Sequence, residues 1–289
     1  MKDLQACTAS PFGSCTVRTL AVTAGIVFLY IAYKLVHPEQ FIITAIITLA
    51  VWLSRRFLDR QSFRSLGLND WNPDDLVNGF VALVIPLVIV SLVQWLTGWA
   101  TLKGWGMDAA GRTYLPSEML GGLFSAFVIA GLTAWREELL FRGYLLDNLQ
   151  RGTGWLWGII LSSIFFGFLH IILTPNAFSL TLAQQISIVT LSSLAGLVLA
   201  GARLRSGSLW MPMGFHLGWN FLITPVFGLY PGDAPMLVAW DFSGPALLDR
   251  LWFLDFGLRA LFILLLSWGW ITLVTRRRHA RPAQDGQRE

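Results

Sequence analysis

Residues 76–99 of the chain read LVNGFVALVIPLVIVSLVQWLTGW, and no side chain in this stretch carries a charge. A helix needs about 20 apolar residues to cross the hydrocarbon core of a bilayer, so this stretch is long enough to span a membrane. Of the 289 residues in the whole chain, 55% are hydrophobic and only 13% are charged, whereas a soluble domain averages about 25% charged residues. This composition excludes a disordered chain, a disulfide scaffold and an ordinary cytosolic enzyme.

Apolar stretches of similar length recur along the chain, which predicts an all-α membrane protein, a polytopic bundle of about eight transmembrane helices. The apolar stretch that starts at Leu20 is too long for a signal peptide and is interpreted as an uncleaved first span. The fourth span is expected to continue as a helix to about Gln150. The predicted spans cover residues 17–36, 40–53, 76–99, 118–140, 155–173, 183–202, 209–229 and 251–274.

Basic residues predict how these spans are oriented. If the N-terminus is cytoplasmic, most of the 21 Lys and Arg residues fall in cytoplasmic segments, as the positive-inside rule requires. Both termini are therefore expected in the cytoplasm. Residues 55–75 then form a polar cytoplasmic linker, and residues 101–116 and 230–249 form outer loops. The net charge of +4 reflects this asymmetry, so no nucleic-acid partner is expected.

Charged side chains interrupt the fourth predicted span, where residues 136–143 read REELLFRG. An ionisable side chain inside a span is costly and therefore marks a candidate functional site. Glu138 and Arg142 are spaced for an ion pair within one helix, while Glu137 lies on a neighbouring face and can point into a cavity. The alternative interpretation is a helix end that reaches cytoplasmic water.

Two later spans add further polar residues at comparable depth. His170 ends the run FGFLH in the fifth span, and His216 shares a helix face with Asn220 in the seventh. Counted at about 1.5 Å per residue, these three residues and Glu137 can meet near the middle of the membrane on a cavity that faces the cytoplasm. Taken singly, each has a structural alternative: a satisfied core histidine, or a hydrogen-bonded pair between helices.

The residue types suit hydrolysis. A carboxylate beside a histidine can activate water, and a second histidine with an amide can stabilise an oxyanion. Glu137 or Glu138 with His170 and His216 could instead bind zinc, although the chain contains no HExxH motif. A proton-coupled transporter and a non-catalytic membrane scaffold or immunity protein also remain open, because intramembrane charges serve such proteins too.

The three motifs, EExxxR at residues 137–142, FxxxH at 166–170 and HxxxN at 216–220, together resemble those of the CPBP (Abi) family. These are the CAAX-protease and bacteriocin-processing intramembrane proteases. The resemblance implies an intramembrane endopeptidase that acts on a membrane-associated protein or peptide, with or without a lipid group. It also implies a cell-membrane location among lipids, while the physiological role, whether processing or immunity, stays open.

The resemblance also implies a role for each residue. Glu137 and His170 would activate the water, His216 and Asn220 would form the oxyanion hole, and Glu138 and Arg142 would position the site. A metal-free mechanism is favoured over zinc. The expected regions are an N-terminal tail (1–16), N-terminal spans with the linker (17–117), a catalytic core (118–229), an outer loop with the last span (230–274) and a basic tail (275–289).

Overall fold

The computed structural model describes residues 14–36, 39–69, 71–107, 111–174, 179–228, 235–241 and 252–279. Most of the expected N-terminal tail (1–16), most of the outer loop at 230–249 and the end of the basic tail lie outside these residues. Helices dominate, because a helix satisfies its own backbone hydrogen bonds where water is absent. The α-helices are α1 (Ser14–Val36), α2 (Gln40–Leu53), α3 (Pro73–Leu96), α4 (Pro116–Glu138), α5 (Leu146–Thr153), α6 (Trp155–Leu173), α7 (Leu182–Ser206), α8 (Trp210–Phe221) and α9 (Trp252–His279).

Seven of the described helical stretches are long and apolar enough to cross a membrane, which confirms the prediction of an all-α polytopic bundle. One of them runs without interruption from Pro116 to Thr153, because a π-helical turn at Leu139–Leu145 joins α4 to α5. The span predicted at 209–229 is shorter than expected. It forms the 12 residues of α8 and five residues of π-helix at Leu222–Val226, fewer than the roughly 20 residues of a typical membrane span.

Two short strands pair where outer loops were expected. Strand β1 (Thr101–Trp105) runs antiparallel to β2 (Val238–Asp241), with Thr101 opposite Asp241 and Trp105 opposite Val238. Within the described residues the sheet has only these two strands. The pairing ties the segment after α3 to the segment before α9. Gly/Pro content alone predicted loops there, because it does not reveal a partner far along the chain.

Close backbone contact holds the short helix α8 against α3. A side chain at Gly79 would collide with the backbone carbonyl oxygen of Met211, and one at Gly214 would collide with that of Leu76. Small residues allow membrane helices to approach in this way and to gain van der Waals contact. The two glycines therefore fix the height of α8, and with it the height of His216, relative to α3.

A buried ionic network closes the end of the bundle where α2 ends. Arg55 is 0% exposed and donates to Asp147 at 2.7 Å, to Asp59 at 3.3 Å and to Ser65 at 2.8 and 3.0 Å. Asn148 donates to the same Asp59 carboxylate at 2.9 Å. The segment predicted as a polar linker is thus folded onto α5 by hydrogen bonds, and we call these residues the Arg55 network.

Candidate active site

The two adjacent glutamates lie deep inside the protein. Glu137 and Glu138 are the last residues of α4, and their exposed fractions are 5% and 0%. The helix does not end there, because the π-helical turn follows at once and all seven of its residues are buried. The interpretation of the pair as a helix end in water therefore does not apply. π-helical turns are rare and are found frequently at functional sites.

Glu138 joins the first motif to the third. Its Oε1 accepts a hydrogen bond from Arg142 Nη1 at 3.0 Å and one from His216 Nδ1 at 2.7 Å. An ionised carboxylate only accepts, so Nδ1 of His216 carries a proton and the ring orientation is fixed. The other nitrogen, Nε2, lies 3.8 Å from Glu137 Oε2. One carboxylate therefore orients the histidine, and the other lies next to its free nitrogen.

Arg142 is buried, with an exposed fraction of 1%, and its guanidinium group has several partners. Its guanidinium carbon lies 4.0 Å from the centre of the Phe166 ring, and Nη2 donates to the carbonyl oxygen of Gly196 at 3.4 Å. Cation–π contacts of this kind are stronger away from water. A fixed arginine in turn fixes the Glu138 carboxylate.

Glu137 has a second partner from outside the three motifs. Tyr30 on α1 donates its hydroxyl to Glu137 Oε1 at 3.4 Å, and the same hydroxyl oxygen accepts from Arg136 Nε at 3.2 Å and Nη2 at 2.9 Å. Sequence reasoning missed Tyr30 altogether and took Arg136 only as a basic residue near a span. A tyrosine in an apolar span is common, so no signal in the sequence singles Tyr30 out.

The remaining carboxylate oxygen of Glu137, Oε2, is buried and makes no hydrogen bond within the described part of the chain. Buried polar atoms in native structures nearly always have a partner, either protein or ordered water. His216 Nε2 lies 3.8 Å from this oxygen, beyond hydrogen-bond distance. The position next to Oε2 is thus suited to a small polar molecule such as water.

His170 is oriented by its own helix. Its Nδ1 lies 2.9 Å from the carbonyl oxygen of Phe166 one turn earlier. A carbonyl only accepts, so Nδ1 donates, and a neutral His170 keeps its lone pair on Nε2. The ring also lies against the Phe166 ring, with centroids 4.4 Å apart. A histidine held in this tautomer can take a proton at Nε2.

Two cavities meet at His170 and Asn220. One, of about 550 Å³, is lined by polar residues that include Glu137, Arg136, Tyr30 and Thr133. The other, of about 320 Å³, is mostly apolar and includes His216 in its wall. His170, Thr174 and Asn220 line both cavities. A bound polypeptide that passed from one cavity to the other would therefore lie against these three residues.

The structure brings all six predicted site residues into one region. Glu137, Glu138, Arg142 and His216 form a cluster of ion pairs and hydrogen bonds. His170 and Asn220 line the cavities beside this cluster. The i,i+4 pair of Glu138 with Arg142 forms as the spacing predicts.

The donor set does not fit a zinc site. Within the described residues, no group of three His, Cys, Asp or Glu side chains is arranged to hold a metal ion. Oε1 of Glu138 is shared between Arg142 Nη1 and His216 Nδ1, so this oxygen is not free to bind a metal. A catalytic zinc needs three protein ligands at about 2.0–2.2 Å around one point. We therefore derive no step through a metal.

A comparison with protein families points to the same segment of the chain. The family model described as "Type II CAAX prenyl endopeptidase Rce1-like" matches residues 116–222, which contain all three motifs. The resemblance to CAAX-type intramembrane proteases is thereby confirmed for this part of the chain. No curated protein and no solved structure gives a match.

Proposed function

We propose that the protein is an intramembrane endopeptidase that hydrolyses a peptide bond with a water molecule activated by Glu137 and His170. The observation that carries this proposal is the buried Oε2 of Glu137, which has no hydrogen-bond partner among the described residues, next to a cavity and 3.8 Å from His216 Nε2. The match to a CAAX-type protease family supports a peptidase as the general activity.

In the first step, water bound at Glu137 Oε2 attacks the carbonyl carbon of the substrate and transfers a proton to the carboxylate. A positioned general base of this kind contributes about 10²–10⁴-fold to the rate. Tyr30 donates to Oε1 of the same carboxylate, which leaves Oε2 for the water. His170, with Nδ1 bound to the Phe166 carbonyl, offers Nε2 as the second proton acceptor.

The carbonyl oxygen becomes negatively charged as the tetrahedral intermediate forms. The side-chain amide of Asn220 and a protonated Nε2 of His216 can donate hydrogen bonds to this oxyanion, and such donors stabilise the transition state strongly in a water-poor site. His216 keeps its orientation because its Nδ1 is bound to Glu138, which Arg142 holds in turn. Glu138 and Arg142 are thus positioning residues.

Collapse of the intermediate breaks the bond between carbon and nitrogen. The proton that Glu137 or His170 took from water passes to the leaving amine, so the protein returns to its starting protonation state. No metal takes part in these steps. We expect chelators to leave turnover unchanged, and a stoichiometric zinc ion that is lost together with activity would overturn this mechanism.

We also propose that the protein lies in the cell membrane with both termini in the cytoplasm. The seven apolar helices support a multi-pass membrane protein, and the distribution of arginines supports this orientation. The substrate class we propose is a protein or peptide at the membrane, and prenylated substrates are the first to test because of the family match.

The test uses an internally quenched CAAX peptide, with and without a farnesyl group, and the full-length protein in liposomes. We expect Glu137→Gln to lower turnover by about 10²–10⁴-fold, with an unchanged thermal unfolding curve. Glu118→Gln is the matched control, because Glu118 lies in the first turn of the same helix and is exposed. Unchanged turnover in Glu137→Gln would contradict the role of Glu137.

A further inference from the structure

The two ends of the helix bundle differ in charge. At one end α2 leads to α3, α5 to α6 and α7 to α8, and at the opposite end α1 leads to α2 and α6 to α7. We call the end with the α2–α3, α5–α6 and α7–α8 connections the arginine-rich end. By the positive-inside rule, it faces the cytoplasm. The basic residues of its connections and adjoining helix ends are Arg55, Arg56, Arg60, Arg64, Arg151, Arg203 and Arg205.

The polar cavity extends from the cluster toward the opposite end. Its wall includes Gln40, the first residue of α2, and Thr174, which directly follows α6. It also includes Ala126, which precedes Glu137 by three helical turns, or about 16 Å along α4. All of these positions lie between the cluster and the end opposite the arginine-rich end.

The side of the cluster toward the arginine-rich end is filled by packed side chains. Every residue of Leu139–Leu145 is buried, and Gly143 lies against the side chains of Leu66 and Leu209, both 0% exposed. The Arg55 network closes the bundle beyond them. No described residue of Leu139–Thr153 lines either cavity at the candidate active site.

We infer that the active-site cavity admits its substrate from the face of the membrane opposite the arginines, the extracytoplasmic face. Resting on the proposed function, this makes the substrate a polypeptide whose scissile segment lies on, or reaches in from, the extracytoplasmic side. The inference replaces the expectation of a cytoplasm-facing cavity. That expectation came from depth along the helices, and depth alone does not say toward which end a cavity extends.

Cysteine labelling tests the inference without any need for proteolysis. Cys7 and Cys15 are replaced by Ser, and Thr133→Cys in the cavity wall is compared with Ser62→Cys at the arginine-rich end. A charged, membrane-impermeant maleimide is applied to sealed right-side-out vesicles and to inverted vesicles. Thr133→Cys is expected to react in right-side-out vesicles and to lose labelling in inverted ones, and Ser62→Cys is expected to do the reverse.

Several outcomes would overturn the inference. Labelling of Thr133→Cys only in inverted vesicles, or in neither preparation, would show that the cavity does not open on the extracytoplasmic face. Labelling in both preparations would show that access is not confined to that face. Labelling of Ser62→Cys in right-side-out vesicles would show that the orientation is wrong. If Thr133→Cys does not fold, Thr174→Cys takes its place, because Thr174 lines the same cavity. A failed Glu137→Gln test leaves all these readouts intact, so the two proposals fail separately.

Discussion

The protein buries two ionic clusters that use the same side-chain types in opposite ways. In the Arg55 network, Arg55 donates to Asp59, Asp147, Asn148 and Ser65, and no buried atom of Arg55, Asp59, Asp147 or Asn148 lacks a partner. The second cluster, which we call the central cluster, consists of Glu137, Glu138, Arg142 and His216. There, Oε2 of Glu137 and Oε2 of Glu138 have no hydrogen-bond partner among the described residues.

The difference shows how a buried ionic group with a structural role can be told from one that binds a further molecule. A fully hydrogen-bonded ionic group fixes a structure, because nothing is left to bind a further molecule. A buried carboxylate with a free oxygen at a cavity wall is costly unless something binds there. The Arg55 network therefore closes the bundle, whereas the central cluster keeps the capacity to bind and activate a small molecule.

Removal of Arg55 should have the largest effect on stability. Arg55→Ala removes a buried partner of Asp59 and Asp147, which keep Arg18 and Arg151 as ion-pair partners. We therefore expect a loss at the low end of the range for a broken buried pair, about 3 kcal/mol in the free energy of unfolding. Turnover per folded molecule should stay unchanged. Thermal unfolding in detergent measures the stability, and peptide cleavage measures the turnover. Arg56→Ala is the control, because Arg56 is exposed on the same turn.

A selective loss of turnover in Arg55→Ala, at equal amounts of folded protein, would break the comparison. It would mean that the network acts on the chemistry and does more than close the bundle.

Two asparagines give the next test, Asn220 in the cavity wall beside the central cluster and Asn148 in the Arg55 network. Asn220→Ala removes a proposed oxyanion donor, and we expect kcat to fall by about 10²–10³-fold, or about 2.7–4 kcal/mol, with little change in unfolding. Asn148→Ala should show the converse, a loss of stability with unchanged kcat, because Asn148 bonds to Asp59. Equal effects of the two variants on kcat would contradict the role of Asn220.

The smallest effect is expected at Tyr30, which sharpens the assignment of Glu137. Tyr30→Phe removes one hydrogen bond to the carboxylate and the acceptor of two hydrogen bonds from Arg136. Loss of the bond to Glu137 should cost about 1 kcal/mol, several-fold in kcat, with KM unchanged, and loss of the acceptor of Arg136 should lower stability. Tyr33→Phe, one turn further along α1, is the control, because its hydroxyl bonds to Glu39 instead. A rise in KM without a fall in kcat would indicate a contact with substrate and not with Glu137.

Sequence reasoning predicted the residues of the site more fully than the hydrogen bonds that join them. The pairing of Glu138 with Arg142 follows from their spacing within one helix, and the helical spans follow from their apolar composition. The bond between Glu138 and His216 joins residues 78 positions apart, and no local pattern encodes it. The partnership of Tyr30 with Glu137 was missed for the same reason.

The extent of α8 shows a second limit of sequence patterns. Residues 209–229 are apolar enough to suggest a full span, yet the helix begins at Trp210 and its last turn is π-helical. Close contact with α3 through Gly79 and Gly214 supports the shorter helix. Such contact depends on the shape of both surfaces, which hydrophobicity does not describe. The expected boundaries of the five regions remain predictions.

The shortness of α8 has a consequence for how the protein is made. Because α8 and its π-helical turn are shorter than a typical span, the close contact with α3 contributes much of what holds α8 in place. His216 and Asn220 reach their positions only with α8. During synthesis, both glutamates therefore emerge well before His216 and Asn220, and the candidate site is complete only once α8 has packed against α3.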